Sequence, residues 1–230
     1  MTKIKVIIPA YNEADSITHV INDIPEIVEE VIVVSNNSND NTEINAKNAG
    51  ATVLTEPNRG YGFACLKGMT YVAEQKELPD IIVFLDGDYS DYPEELTKIV
   101  KPIIEDNIDF VIGARDKKLR EDGSMTGPQV FGNWLATTLM RIMFRSTFTD
   151  LGPFRAIKYN SLLDLKMEDK TYGWTVEMQL KALKQKLSYV EVPVNYRNRI
   201  GVSKVSGTVK GAIFAGVKIL TWIFKYSFKK

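Results

Sequence analysis

Several chemistries are missing from this 230-residue chain. Its single cysteine, Cys65, excludes an internal disulfide and any cysteine-based zinc site. Its single histidine, His19, has no second histidine with which to hold a metal. The N-terminus offers only the short apolar run Val6-Ile7-Ile8 before Pro9, without the features of a signal peptide, so a cytoplasmic setting is expected. In the tail, the longest uncharged run, Gly211–Val217, falls far short of the roughly 20 residues that cross a bilayer. Acid is missing there too. After Glu191 come Arg197, Arg199, Lys204, Lys210, Lys218, Lys225, Lys229 and Lys230, and no Asp or Glu. That segment carries +8 and the rest −8, which a net charge of zero conceals. A basic end points to an anionic partner: phosphate, nucleic acid or lipid headgroups.

What is present is ordinary globular material, 44% apolar and 25% charged, enough for one α/β domain or two small ones. Strand-like and helix-like runs alternate from the start. Strands are expected at Ile4–Ile8, Val31–Val34, Thr52–Leu54, Ile81–Leu85 and Phe110–Ile112. Helices are expected at Glu13–Ile24, Asp40–Asn48, Gly60–Glu74 and Pro93–Ile104, the last with proline in its first turn, where a helix tolerates it. The alternation predicts an α/β fold, a mostly parallel sheet flanked by helices. Cys65 falls on a helix face and reads as a small core residue.

The sharpest feature is Asp86-Gly87-Asp88, which follows the apolar run Ile81–Leu85. Two carboxylates sit where a buried strand ends, the edge at which open α/β sheets bind ligands. Close carboxylates repel unless a positive charge lies between them. A divalent cation on a diphosphate fits, because hard cations bridge carboxylate and phosphate oxygens. The same tripeptide also suits a solvated turn.

Beyond Gly113 the texture changes. Asp116–Thr126 is polar and predicts a mobile loop or lid. Val130, Phe131, Trp134, Leu135, Thr138, Leu139, Ile142 and Met143 recur at helical spacing and predict core packing. A turn at Asp150–Arg155, a helix near Thr175–Lys184 and a strand at Tyr189–Val194 follow. In the tail, Gly207–Lys230, the lysines share one arc of a helix and bulky apolar residues cover the rest. Such a helix suits the membrane interface. Packing on the protein body or on a second subunit is the alternative, which leaves a homodimer open. Aromatic bulk in the tail argues against nucleic acid as the partner. Gly60-Tyr61-Gly62 lacks the third glycine of a dinucleotide fingerprint and does not follow the first strand, which argues against a dehydrogenase.

The order strand, Pro9-Ala10-Tyr11-Asn12-Glu13, strand, polar turn, strand, Asn58-Arg59-Gly60-Tyr61-Gly62, strand, Asp86-Gly87-Asp88 resembles the family 2 glycosyltransferases. The later motifs are most similar to the dolichol-phosphate mannose synthases and related polyprenyl-phosphate sugar transferases. The resemblance covers roughly residues 3–206 and implies a GT-A catalytic domain over 1–206, with 207–230 as an amphipathic membrane-interfacial helix.

The resemblance also implies roles. Pro9, Tyr11 and Glu13 hold the nucleoside, Asn36 stands where a base-contacting Asp is usual, and Arg59 and Gly60 pass near the nucleotide. Asp86 contacts ribose or metal and Asp88 binds the metal, Mg2+ or Mn2+. Ser90 and Asp91 replace the Gln and His of the mannose synthases, which makes Asp91 an added candidate ligand. Gly113-Ala114-Arg115 matches the motif after the fifth strand, placing Arg115 at the nucleotide sugar. Asp150, Gly152, Phe154 and Arg155 match the acceptor-side turn. Arg199 and Lys204 match a basic pair that contacts phosphates, in keeping with the phosphate-matching fork of Arg and the point charge of Lys. Glu177 is a lone carboxylate among apolar residues.

The implied reaction moves a hexose from a UDP- or GDP-linked donor to a polyprenyl phosphate at the cytoplasmic membrane face, with inversion. A phosphate monoester has a second pKa of about 6 and needs no strong base to attack. A hydroxyl acceptor needs one, for which Asp150 is the candidate. A soluble transferase with a small acceptor, and a non-catalytic nucleotide-sugar binding module, are the alternatives.

Overall fold

In the computed structural model, which describes residues 2–202 and 209–228, the apolar runs assemble into one seven-stranded sheet. β1 (Ile4–Ala10) is buried along its whole length, as a strand covered on both faces must be. Parallel to it lie β2 (Glu30–Ser35) and β3 (Thr52–Thr55) on one side and β4 (Ile81–Phe84) on the other. The sheet continues through β6 (Arg155–Lys158) and β5 (Phe110–Arg120) to β7 (Tyr189–Tyr196), giving the order β3-β2-β1-β4-β6-β5-β7. Only β6 runs antiparallel to its neighbours.

Alternation along each strand splits the core in two. Ile7, Ile32, Phe84 and Phe110 face a cluster built with α3 (Tyr61–Ala73), α5 (Gly127–Phe144), α6 (Tyr159–Leu165), α7 (Trp174–Lys184) and α8 (Val209–Phe228). Ile8, Val33, Val83 and Val111 face α1 (Ile17–Asn22), α2 (Thr42–Asn48) and α4 (Leu96–Glu105), which a 3₁₀ turn at Pro93–Glu95 precedes. Cys65 is buried in the first cluster, as expected.

Four expectations need correction. The first strand does not stop at Ile8, because pairing with β2 continues through Pro9 to Ala10↔Ser35, while pairing with β4 stops at Ile7↔Phe84. The start of the expected lid at Asp116–Thr126 is instead the outer part of β5, which rejoins β7 at Arg120↔Tyr196 after an irregularity in register. The apolar stripe of α5 is largely uncovered: Phe131 is 61% exposed, Trp134 58% and Ile142 73%, while Ala136, Thr137 and Met140 pack inward. The apolar residues of α8 divide into two groups rather than one. Trp222, Ile223 and Tyr226 enter the core, whereas Ile213, Phe214, Val217, Phe224 and Phe228 are exposed. Lys218 and Lys225 lie beside Trp222, on the seam between the groups. Among the described residues no helix is long and apolar enough to cross a membrane. The expected boundary at 206/207 lies outside the described residues.

Candidate active site

β1 has β2 on one side and β4 on the other, so the connections leaving it diverge and open a crevice at the carboxyl ends. That geometry positions the first two motifs. Tyr11 and Glu13 follow β1, and Asp86 and Asp88 follow β4. A cleft of about 300 Å³ there is walled by Pro9, Tyr11, Glu13, Asn36, Arg59, Gly60, Asp86 and Asp88. Every residue expected at the donor is thus in one place, except Arg115, which stands in the adjoining cavity.

The local chemistry explains the arrangement. Arg59 lies 5.0 Å over the Tyr11 ring, a cation–π platform of the kind on which a planar base can stack. The Asn36 amide works in both directions: Nδ2 donates to the Asn58 carbonyl at 2.6 Å and Oδ1 accepts from Gly60 N–H at 2.7 Å. A carboxylate could supply only the second bond. Gly60 has φ +151°, and a Cβ there would collide with the Lys170 carbonyl, so the motif requires glycine.

The carboxylates are held unevenly. Asp88 Oδ1 accepts from Ser90 N–H at 2.9 Å and from the Ser90 hydroxyl, while Oδ2 pairs with Arg199 Nη1 at 2.9 Å. Arg199 Nη2 reaches Glu13 Oε1, also at 2.9 Å, so one guanidinium bridges two acids of the cleft. Asp86 is different. Its Oδ1 is buried without a hydrogen-bond partner, and burial beside the Asp88 charge pushes its carboxyl up to about 7. An unpartnered buried oxygen next to a second carboxylate, at the mouth of a cleft, is a hard oxygen donor set that fits a divalent cation whose shell a diphosphate completes. Among the described residues no three acidic, histidine or cysteine side chains gather to form a metal cage.

Asp91 does not join that set. Both of its oxygens are buried without partners, and burial together with the charges of Asp86 and Asp88 pushes it well above the usual carboxylate range. It lines neither this cleft nor the cavity beside it, so its oxygens stand apart from those that Asp86 and Asp88 present there. Its loop is instead braced by the chain after β7: Asp91 bridges Tyr196, Arg197 N–H donates to Ser90 O and Ile200 N–H to Asp88 O.

A second cavity of about 330 Å³ adjoins the cleft through Tyr61, Asp86, Asp88, Tyr172 and Arg199. Its far walls come from Pro128, Gly132 and Asn133 of α5 and Ala215, Gly216 and Ile219 of α8, and Arg115 stands inside it. Asp150 locks Arg115 in place through bonds of 2.8 and 2.7 Å from Nε and Nη2 and one of 2.9 Å from the backbone N–H. Burial would raise the Asp150 carboxyl, but the Arg115 charge holds it below the ordinary range. A paired carboxylate of lowered pKa is a poor proton acceptor, which corrects its expected role as a base.

Arg155 also departs from expectation. It has no exposed surface and lines neither cavity. Its guanidinium donates to the carbonyls of Gly152, Leu151 and Thr175, so it is a strut of the 151–155 turn. Glu177 is likewise structural, paired with Lys181 at 2.8 Å and accepting from the N–H groups of Glu168 and Asp169. Lys204 lies outside the described residues. Sequence reasoning missed Tyr61, Thr171 and Tyr172. Tyr61 is inside a motif that was seen, but the loop carrying Thr171 and Tyr172 has no motif of its own.

Comparison with known proteins follows the same outline. The family described as glycosyl transferase family 2 matches residues 5–165. An uncharacterized glycosyltransferase of Mycobacterium tuberculosis is 32% identical over 92% of this chain and 94% of its own length. An undecaprenyl-phosphate mannosyltransferase of Micrococcus luteus is 29% identical over 96% of this chain and 93% of its own. Among solved structures, glucosyl-3-phosphoglycerate synthase from Mycobacterium tuberculosis, in complex with Mn2+, UDP and phosphoglyceric acid, is similar with a TM-score of 0.79. That likeness covers 100% of this chain and 80% of the other at 20% identity, and it gives the fold, GT-A.

Proposed function

Because this chain belongs to glycosyl transferase family 2 and is a glycosyltransferase, we propose that it moves a hexose from a nucleotide-diphospho-sugar to a polyprenyl phosphate, with inversion. The observation that carries this reading is the second cavity. It opens from the donor carboxylates, holds Arg115 and Arg199, and passes between two helices that leave large apolar side chains exposed. A phosphate head beside the arginines and an apolar tail along α5 and α8 match that gradient. The undecaprenyl-phosphate mannosyltransferase among the relatives supports the same acceptor class.

In this reading Tyr11, Arg59 and Asn36 frame the nucleoside. Asp86 and Asp88 would hold Mg2+ or Mn2+, which would neutralise charge on the departing diphosphate. Mn2+ and Mg2+ complexes of the phosphoglycerate synthase support that choice. An oxygen of the acceptor phosphate forms a bond to the anomeric carbon, and the bond to the diphosphate oxygen breaks, the nucleoside diphosphate leaving with the electron pair. Arg199 swings between its two acids and the diphosphate, while Arg115, fixed by Asp150, orients the acceptor phosphate. No general base is needed, because the phosphate is already anionic. The exposed stripes of α5 and α8, with Lys218 and Lys225 on the seam, support a peripheral position at the cytoplasmic face of a membrane.

The fold likeness to a phosphoglycerate synthase favours a second reading, a small phosphorylated acceptor. One experiment separates them. Purified protein with Mn2+ and radiolabelled UDP-glucose or GDP-mannose is offered undecaprenyl phosphate in vesicles, or 3-phosphoglycerate in solution. Label in the organic phase is expected. Label only in the aqueous product would replace the lipid acceptor with a soluble one.

A further inference from the structure

α8 does more than cover the core, and the reason is a single buried carboxylate. Asp169, 2% exposed, sits in the loop between α6 and α7. Its Oδ1 accepts from the N–H groups of Thr171 at 2.7 Å and Gly173 at 3.0 Å, which fixes the loop's curl. Both donors to its Oδ2 come from α8: Trp222 Nε1–H at 2.6 Å and Lys218 Nζ at 3.1 Å. Gly173 leaves room for this union, since a Cβ there would approach the Trp222 indole and Asp169 Oδ2 closer than 3.0 Å.

The other side of the same loop is a wall of the donor cleft. Phe63 N–H donates to Lys170 O at 3.0 Å and Gly62 N–H to Thr171 O at 3.3 Å, joining the loop to the first turn of α3. Cβ atoms at Gly60 or Gly62 would strike the Lys170 and Asp169 carbonyls, so the two segments touch backbone to backbone. Tyr172, at the tip, lines both cavities.

We propose that Trp222, Lys218 and Asp169 form a latch through which the seating of α8 sets the donor site. They are positioning residues: none lines the cleft, and they act through Tyr172 and the Gly60–Phe63 turn. Without the α8 donors, Oδ2 is a buried charge with no partner, and the loop must loosen to hydrate it. The surface helix and the nucleotide cleft are therefore one mechanical unit. The inference rests on the donor reading of that cleft.

The test uses the full chain with Trp222→Phe, which keeps an aromatic ring in the core but removes the N–H along with part of the indole, and Lys218→Met, a change at a half-exposed position that removes the charge and leaves the core untouched. Thr221→Ala, on the same helix, is the control. Hydrogen exchange at the amides of Gly62, Phe63, Thr171 and Gly173 is expected to quicken in both latch variants and not in the control. Unchanged protection overturns the latch. In calorimetric titration with UDP or GDP plus Mn2+, Trp222→Phe is expected to weaken binding about three- to tenfold. With a transfer assay, KM for the donor rises by the same factor and kcat holds. Wild-type protein that binds neither nucleotide overturns the donor reading and this inference with it. Wild type that binds, with Trp222→Phe binding equally well, overturns the inference alone.

Discussion

On the β1–β4 side of the sheet, most cleft residues ride on consecutive strand–helix units, at the ends of β1, β2 and β4 or at the start of α3, and Tyr172 and Arg199 join them from far along the chain. On the β5–β7 side, the cavity is assembled by α5, α8, the loop at Thr171 and Tyr172 and the first turn of α7, elements far apart in the chain. In the proposed reading the first is the donor half, which takes most of its geometry from local order, and the second is the acceptor half, which takes its geometry from long-range packing. Charge is handled differently as well. In the donor half, Asp86 keeps an unpartnered buried oxygen, whereas in the acceptor half Asp150 is fully engaged by Arg115. One half is left electrostatically open for a ligand and the other is closed on itself. That contrast predicts different failures when each half is cut.

The largest effect is expected from Asp150→Ala. Removing one member of a buried pair strands the Arg115 charge, which costs about 3–5 kcal/mol of stability. Urea denaturation measures it. In the surviving folded fraction, the pH profile of kcat is expected to stay in place, because no proton passes through Asp150. A lost acidic limb with an unchanged denaturation midpoint would return Asp150 to the role of base and erase the contrast between the halves.

Asp88→Asn comes next and should behave in the opposite way. Arg199 lies at the cleft and keeps Glu13 as a partner, and an amide oxygen can still accept from Ser90, so stability changes little, whereas transfer falls about a hundred- to a thousandfold, as when an electrostatic stabiliser is removed. Turnover and Mn2+ binding read it out. Equal turnover in the variant would remove the metal from the scheme.

The same contrast explains what could be read in advance. The strand ends, their motifs and the glycines between them were legible, because period-2 apolar runs and turn chemistry are local properties. Asn36 was visible as a departure, and its two-way amide bonding supplies the reason. β6 was not visible: Arg155-Ala156-Ile157-Lys158 is four residues long with charges at both ends, and its strand state comes from pairing with β4 and β5. Arg155 looked functional because a buried arginine and a surface arginine are the same letter. Helical periodicity correctly gave α5 as a helix, but periodicity cannot say whether the apolar face meets protein or something else. Asp169 carried no cue at all, since its partners arrive from 49 and 53 residues downstream.

A smaller expected effect tests that uncovered face. Replacing Phe131 and Trp134 by Ser removes an exposed aromatic pair with centroids 5.8 Å apart. Stability should move by no more than about 0.5 kcal/mol, as for surface positions. Co-flotation with anionic vesicles should weaken about tenfold or more, given roughly 1.5–3 kcal/mol for each large side chain taken out of water. If flotation holds and the sedimenting mass drops instead, the face belongs to a second copy of the chain.

The smallest effect concerns the seam between the halves and has a definite dependence on pH. Burial would raise the Asp169 carboxyl, but the Thr171 N–H, Trp222 and Lys218 outweigh it and hold the group below its ordinary 3.8. An acid held lower in the folded state than in the unfolded one adds stability above the unfolded value. That contribution disappears as pH falls through the folded value. Asp169→Asn should therefore lower the unfolding free energy read from urea denaturation by a constant amount from pH 5 to 8, no more than about 1 kcal/mol because the Lys218 partner is half-exposed. Below pH 4 the gap should narrow, closing once pH has fallen past the folded value. A gap that persists into acid would mean that the carboxylate's shape, and not its charge, holds α8 against the loop, and that an amide fills the place badly at every pH.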